Sequence, residues 1–162
     1  MEEGGRQKVP FTTGILIGIG ETRLERLESL HKISELHLTY NHIQEVIVQN
    51  FRAKPNTLMA NASEPSFDEL MWTIAMARLI LPGDISLQVP PNLNSDYIKQ
   101  LSQSGINDFG GISPVTKDYV NPEAPWPEIE KLNQIASISN QSLEPRATLY
   151  PKYFTDLDTF ST

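Results

Sequence analysis

The chain has 162 residues, with 13 lysines and arginines against 20 aspartates and glutamates, three histidines and no cysteine, for a formal net charge of −7. With 39% apolar and 20% charged residues, it has the composition of a folded globular domain. The acidic balance argues against binding to a nucleic-acid backbone. The lack of cysteine excludes disulfides, thiolate zinc sites and iron–sulfur clusters held by this chain alone.

We expect a cytoplasmic protein without membrane attachment. The most apolar run, residues 12–19, is far shorter than the ~20 residues that span a bilayer. The first eight residues lack the apolar core of a signal peptide.

The first predicted unit is a strand followed by a helix. Residues 9–19 form a short apolar run that ends in glycines, which predicts a buried strand. Thr22 and Glu25 have the spacing of a capping box, so we expect a helix from Thr22 to about Tyr40.

The same order of strand and helix is repeated three more times. The further strands are expected at residues 45–51, 85–89 and, more weakly, 106–112. The further helices are expected from the cap at Ser66 to Pro82, over residues 95–103, and from Pro127 to about residue 139.

Strand–helix repeats of this length are typical of a parallel α/β sheet. Four such units make half of a (β/α)₈ barrel, which typically takes ~250 residues. We therefore predict the α/β class, and residues 1–142 form either a small open α/β domain or part of something larger, such as a partial TIM-like barrel. Residues 143–162 are polar and without period, and we expect them to form a C-terminal extension packed on the surface.

Ligands of parallel βα folds bind beyond the carboxyl ends of the strands. Four polar or glycine-rich segments of this chain fall there, and we call this region the mouth: residues 18–21, 49–52, 88–92 and 110–114. Glycines in the first segment let a flat ligand lie close to the backbone. Glu21 can accept a hydrogen bond from a ligand, or it can be an acidic residue favoured by the dipole of the following helix.

Amide side chains dominate the other mouth segments. Gln49, Asn50 and Gln88 each offer a donor and an acceptor, which suits a pyrimidine or an amino acid. Arg52 suits a carboxylate, unless it is a solvated loop charge. The spacing of the three histidines does not predict a metal site, and we expect no metal ligands.

Three stretches of the sequence are more specific than its composition: residues 10–22 (PFTTGILIGIGET), 42–55 (HIQEVIVQNFRAKP), and 110–116 with 120–127 (GGISPVT and VNPEAPWP). Together they closely resemble the CofG-type subunit of FO synthase, a radical S-adenosylmethionine (SAM) family. FO is 7,8-didemethyl-8-hydroxy-5-deazariboflavin, a deazaflavin chromophore. The resemblance covers nearly the whole chain and aligns with the C-terminal half of that family.

The resemblance implies a TIM-like barrel lyase that works with a CofH-type partner subunit. It implies SAM cleavage, hydrogen abstraction from a tyrosine-derived ribityl-uracil adduct, and ring closure with loss of ammonia. The strand that flanks the SAM adenine in the family matches this chain at Gly14, Leu16, Gly18, Gly20 and Glu21. The implied substrate side of the mouth consists of Gln49, Asn50, Arg52, Gln88, Asn92 and Ser113. No catalytic residue is assigned.

The family's Cys-x-x-x-Cys-x-x-Cys motif, which holds a [4Fe–4S] cluster, lies in its N-terminal half and is absent from this sequence. We therefore expect the cluster only through a missing N-terminal half barrel, and we expect the chain alone to be inactive. Asn41, Asn56 and Leu58 also depart from the Gly, Gly and Pro usual in the family. Two alternatives stay open: a non-catalytic half barrel that binds SAM or serves assembly, and a small α/β ligand-binding domain.

Overall fold

The computed structural model of the protein describes residues 1–113 and 115–154. A three-stranded parallel sheet in the order β1-β2-β3 lies at its centre. The elements in chain order are α1 (Glu2–Arg6), β1 (Phe11–Ile17), α2 (Arg23–Tyr40), β2 (Ile43–Asn50), α3 (Phe67–Ile80), β3 (Ser86–Gln88), a 3₁₀ turn (Asn92–Tyr97), α4 (Ile98–Ser102) and α5 (Ile129–Ile138). The α/β class and the parallel strands are confirmed, while the barrel stays a prediction.

The two long helices begin where the sequence predicts. The Thr22 side chain accepts the backbone N–H of Glu25, and the Glu25 carboxylate accepts the backbone N–H of Thr22 at 2.7 Å, which completes the capping box. Ser66 caps α3 by accepting the backbone N–H of Glu69. These caps satisfy amide groups that the first helical turn leaves without partners. Within the described residues, no helix is long and apolar enough to cross a membrane.

Two of the three loop positions that differ from the residues usual in the family keep the backbone conformation that glycine favours. Asn41 ends α2 with φ of 51°, and Asn56 has φ of 64°. Asparagine adopts this left-handed conformation more readily than most residues. The substitutions at these two positions are therefore compatible with the same turns.

The hydrophobic core lies between the sheet and helices α2 and α3. Strand side chains that point to the helices pack against one stripe of each helix. The main contributors are Ile17, Val46, Val48 and Leu87 from the strands and Leu30, Ile33, Leu70 and Ile74 from the helices.

The opposite side of the sheet, which we call the inner face, is more polar. Strand pairing places eight residues on it: Thr12, Gly14, Leu16, Glu45, Ile47, Gln49, Ser86 and Gln88. If the chain forms part of a barrel, this face lines the barrel interior.

Several predicted boundaries differ from the structure. The strand predicted at residues 9–19 is shorter, because Gly18 turns the chain with φ of 91°. The weak fourth strand is reduced to a single parallel bridge between Asp108 and Gln88. The helix predicted at residues 95–103 is divided, since Asn94 has non-helical dihedral angles (φ −137°, ψ 36°). Helix α1 was not predicted, and Pro127 precedes α5 instead of beginning it.

The described part of the predicted C-terminal extension, residues 143–154, is mostly exposed and lies against the inner face of the sheet. Arg146 and Tyr150 bond to Glu45 of the inner face, and Tyr153 is buried. The physical reason is that a buried carboxylate in the sheet requires partners. Pro114 and the remainder of the predicted extension, residues 155–162, lie outside the described residues.

Candidate functional site at the carboxyl ends of the strands

The mouth has two cavities at the carboxyl end of the sheet. The smaller, about 220 Å³, lies beside β1 and α2 and is lined in part by Leu16, Ile19 and Glu21. The larger, about 360 Å³, lies beyond β2 and β3 and is lined in part by Arg52 and Asn92. Leu16 and Glu21, predicted for SAM, thus border a different cavity from Arg52 and Asn92, predicted for substrate.

The segment that follows β1 combines apolar side chains with turned backbone. Leu16 and Ile19 are 41% and 47% exposed, which is high for such large apolar side chains. Gly18 and Gly20 have φ of 91° and 110°, a region that side-chain-bearing residues rarely adopt. The segment therefore presents an apolar surface next to accessible backbone.

Glu21 fastens this segment to the rest of the fold. Its carboxylate accepts the backbone N–H of Gly18 at 2.7 Å and that of Ile19 at 2.8 Å, and it accepts Arg26 Nε at 2.7 Å. Burial alone raises the pKa of Glu21, but the hydrogen bonds to the carboxylate outweigh it and lower the pKa. Glu21 therefore holds the loop, and direct contact with a ligand stays a prediction.

Gly14 has a role within the sheet. A Cβ at this position would lie 2.3 Å from the carbonyl oxygen of Ile47 in the neighbouring strand. The missing side chain therefore allows β1 and β2 to approach closely. This contact explains the glycine without any ligand.

Gln49 and Gln88 are the two predicted amides on the inner face. Gln49 is half-buried, and Gln88 is 9% exposed with its amide against Gly110. Both amides lie towards the carboxyl end of the sheet. A ligand in the barrel interior would therefore meet both strands at this level.

Asn50 points to the opposite side of the sheet, because successive strand residues alternate in direction. Its Oδ1 accepts Asn94 Nδ2 at 2.9 Å, and both side chains are buried. Asn92 is also buried, and its amide donates to Asp118 at 2.9 Å and to the carbonyl oxygen of Ala124 at 3.2 Å. These amides brace the loops around the larger cavity.

Arg52 and Ser113 are likewise bonded within the protein. Arg52 pairs with Glu64 at 2.6 Å and donates to the carbonyl oxygen of Leu93. Ser113 accepts the backbone N–H of Thr116 at 2.9 Å. A ligand carboxylate would have to compete with Glu64 for Arg52, so this role stays a prediction.

The other end of the inner face carries a cluster that sequence reasoning missed, which we call the floor: Glu45, Asp108, Arg146 and Tyr150. Arg146 donates to Glu45 at 2.8 Å and to Asp108, and the Tyr150 hydroxyl donates to Asp108 at 2.6 Å. Burial and the nearby Asp108 raise the pKa of Glu45. Burial also acts to raise the pKa of Asp108, but its bonds from Arg146 and Tyr150 lower it overall.

Arg26 was also missed. An arginine in the first turns of a polar helix is usually solvated, yet the Arg26 side chain is only 7% exposed. The only available signal is the nearby Glu21, and its contact with Arg26 depends on the turn between them. The floor has no local signal at all, since Glu45 and Arg146 are 101 residues apart.

The fold is a parallel α/β sheet with ion pairs at one end of its inner face and cavities beside its carboxyl end. No family model matches the chain. Over 153 residues the chain is 54% identical to the 7,8-didemethyl-8-hydroxy-5-deazariboflavin synthase of Methanopyrus kandleri, covering 94% of this chain and 46% of that protein. The synthases of the same name from Methanococcus maripaludis and Methanothermobacter thermautotrophicus are 53% and 49% identical over 156 and 153 residues. These matches cover 96% and 94% of the chain, and 47% and 46% of the relatives.

The chain therefore spans less than half the length of the curated relatives it matches. Over nearly all of its own length it is similar to the C-terminal half of these deazariboflavin synthases. The resemblance stated from the sequence is confirmed at this level.

Proposed function

We propose that this chain supplies the C-terminal half of a radical SAM lyase of deazaflavin biosynthesis. In this proposal the enzyme converts a tyrosine-derived ribityl-uracil adduct to FO with loss of ammonia. The observation that carries the proposal is the identity of about half of all residues across 94–96% of the chain. A mouth open at the carboxyl ends of the strands supports it, since βα enzymes bind ligands there.

The radical chemistry is supplied by SAM together with a [4Fe–4S] cluster. This chain has no cysteine, so its residues do not fit the cluster. The proposal assigns the cluster to an N-terminal half barrel. What this chain contributes is binding and orientation.

In the proposal, the segment after β1 binds the adenine end of SAM. Leu16 and Ile19 offer an apolar surface to a flat ring, and both are exposed beside the smaller cavity. Gly20 lets the ring approach the backbone, because a Cβ there would meet nothing within 4 Å, whereas the missing Cβ of Gly18 leaves room for Pro65. In the proposal Gly14 acts indirectly, because it allows β1 to lie close to β2.

The proposed substrate contacts are Gln49 and Gln88. A uracil ring presents both N–H donors and carbonyl acceptors, and a side-chain amide can match either. The adduct would lie on the inner face beside Ile47, which pairs with Gln88 across the strands and lies two positions before Gln49 on β2. Arg52 and Asn92 border the larger cavity, and Asn50 and Ser113 support loops through hydrogen bonds within the protein.

The proposed partner for β1 is the last strand of the N-terminal half barrel. In the described residues, β1 pairs with β2 alone, so its other edge is available for a further strand. A CofH-type subunit and a cytoplasmic location are carried over from the resemblance as further parts of the proposal.

The test is reconstitution. We would co-express the chain with the cysteine-bearing N-terminal half of the Methanopyrus kandleri relative, add SAM, a reductant and the adduct, and measure FO by its fluorescence. We expect product only with both halves present. We also expect Gln88→Leu to lower turnover at least about tenfold, because an apolar isostere leaves a substrate polar group unpaired.

The matched control is Gln103→Leu, which makes the same change at an exposed position outside the mouth. It should leave FO formation unchanged. FO formation without this chain, or full turnover by Gln88→Leu, would contradict the proposal. Saturable SAM binding without product would favour the alternative of a non-catalytic module.

A further inference from the structure

We propose that Arg26 is a positioning residue that holds the loop of residues 18–21 in its ligand-binding conformation. The inference deepens the proposed function, since it rests on the use of this loop for SAM. It is carried by a chain of contacts that begins in α3, passes through Arg26 and ends at the backbone of the loop.

Arg26 is buried between α2 and α3. Its Nη1 donates to the Glu69 carboxylate at 2.7 Å and to the Thr73 hydroxyl at 3.1 Å, both on α3. Its Nε donates to Glu21 Oε1 at 2.7 Å. A planar guanidinium is suited to such a task, because its donors point in fixed directions.

Glu21 connects Arg26 to the loop backbone. The oxygen that accepts Arg26 also accepts the N–H of Gly18, and the second oxygen accepts the N–H of Ile19 at 2.8 Å. The guanidinium thus sets the orientation of the carboxylate, and the carboxylate sets the direction of two consecutive peptide groups. Without Arg26, Glu21 would lose its cation and the fixed point that orients it.

The loop requires such support because its glycines give it many alternative conformations. Gly18 and Gly20 both occupy the positive-φ region, and ordering glycine costs more conformational entropy than ordering any other residue. A loop that is ordered before the ligand arrives binds it more tightly, since less freedom is lost on binding. Arg26, which also borders the smaller cavity, therefore affects ligand affinity through the order of this loop.

Arg23 provides a matched comparison on the same helix. It also pairs with Glu69, at 2.7 Å, and its guanidinium lies 4.5 Å from the centre of the Trp72 ring. Its side chain is 53% exposed, and its side-chain hydrogen bonds run to Glu69, not Glu21. Replacing it disturbs the α2–α3 contact while leaving the Glu21 contact in place.

The test uses the 162-residue chain and two readouts: amide hydrogen exchange at Gly18 and Ile19 by NMR, and titration with SAM. We expect Arg26→Met to speed exchange of these two amides, relative to amides of β2, and to weaken SAM binding, each about tenfold. Arg26→Lys should restore part of both effects. Arg23→Met should leave both readouts within about twofold of the unchanged chain.

The inference is overturned if Arg26→Met leaves exchange at Gly18 and Ile19 unchanged, or if Arg23→Met alters it equally. If Arg26→Met does not fold, Glu21→Gln replaces it, because the amide keeps only one oxygen for three donors. If the chain alone binds no SAM, the titration is repeated on the complex of both halves, and a complex that binds no SAM refutes the use of this loop for SAM. The exchange data still decide whether Arg26 positions the loop.

Discussion

The two ends of the inner face are built by different means. At the floor, Glu45 and Asp108 share Arg146 and Tyr150, so charged groups from distant parts of the chain satisfy one another. At the mouth, Leu16 and Ile19 are exposed, and the Arg26–Glu21 pair holds the loop after β1. The loops beyond β2 and β3 are braced by the Asn50–Asn94 amide pair and by the Arg52–Glu64 pair. One end is closed by ion pairs within the chain, and the other leaves room for a ligand.

The comparison indicates which substitutions affect folding and which affect binding. Removing one member of a buried ion pair leaves an uncompensated charge, which is expensive in a poorly solvated site. Removing the Asn94 amide leaves only uncharged oxygens without a donor, which costs less. We therefore expect substitutions at the floor to lower the free energy of unfolding more than substitutions of the mouth amides. We also expect the loss at the floor to depend more strongly on pH.

The largest effect is expected from Arg146→Met. The methionine keeps the apolar contact with the Tyr150 ring, over which the guanidinium now lies at 4.3 Å. It removes the cation from Glu45 and Asp108, whose side chains are 7% and 11% exposed. We expect the free energy of unfolding to fall by about 3 kcal/mol, measured by chemical denaturation.

Lys152→Met is the matched control, because it removes a cation from the same segment. Lys152 pairs at 2.7 Å with Asp84, and the two side chains are 33% and 51% exposed. Solvent screens this pair, so the loss should be below about 1 kcal/mol. Equal losses at both positions would contradict a floor held by buried charge.

Gly14→Ala tests whether the first strand of the mouth needs glycine for the sheet itself. The added Cβ would lie 2.3 Å from the backbone oxygen of Ile47, so β1 must move away from β2. We expect a loss of about 1–3 kcal/mol in the absence of any ligand, measured by chemical denaturation. Gly83→Ala should change stability little, since a Cβ there has open space around it. If Gly14→Ala leaves the free energy of unfolding unchanged, the sheet does not require this glycine, and ligand contact remains as its reason.

Asn94→Ala tests the neutral bracing of the mouth. The change leaves the buried Oδ1 of Asn50 without its 2.9 Å donor, and we expect a loss of about 1–2 kcal/mol. The loss should be equal at pH 5 and pH 8, because neither amide titrates. In a double-mutant cycle with Asn50→Ala, the combined loss should be smaller than the sum of the single losses. Additive losses, or a pH-dependent loss, would contradict bracing by this pair.

The sequence predicts the features of this molecule that depend on neighbouring residues. The helix starts are predicted by the capping pairs Thr22 with Glu25 and Ser66 with Glu69, and the strands are predicted by the apolar runs. The position of the mouth follows from the parallel order of the strands alone. Alternation along β2 could also have separated Gln49 from Asn50 in advance, since neighbouring strand residues face opposite ways.

The features that the sequence does not predict depend on contacts between distant segments. Residues 143–154 have no periodic pattern, and their place on the inner face is fixed by bonds to residues about a hundred positions away. The weak fourth strand fails for a related reason: its bridge at Asp108 is followed by Gly110, which takes a positive φ of 72°. Local propensity cannot show either outcome, because tertiary contacts decide both.

The smallest expected effect is a change in pH dependence on replacing Glu45 by glutamine. Burial and Asp108 raise the pKa of Glu45 in the folded state, so its contribution to stability is complete below its ordinary pKa and is lost as the pH rises through the raised value. Glu45→Gln removes this loss, and the variant should therefore gain stability relative to the unchanged protein between about pH 4.5 and pH 7. Asp108→Asn should show the opposite trend at lower pH, since the lowered pKa of Asp108 makes its contribution disappear on acidification. Denaturation curves across this range measure how the free energy of unfolding of each variant changes with pH. Equal slopes for the two variants would contradict a floor in which the pKa of Glu45 is raised and that of Asp108 is lowered.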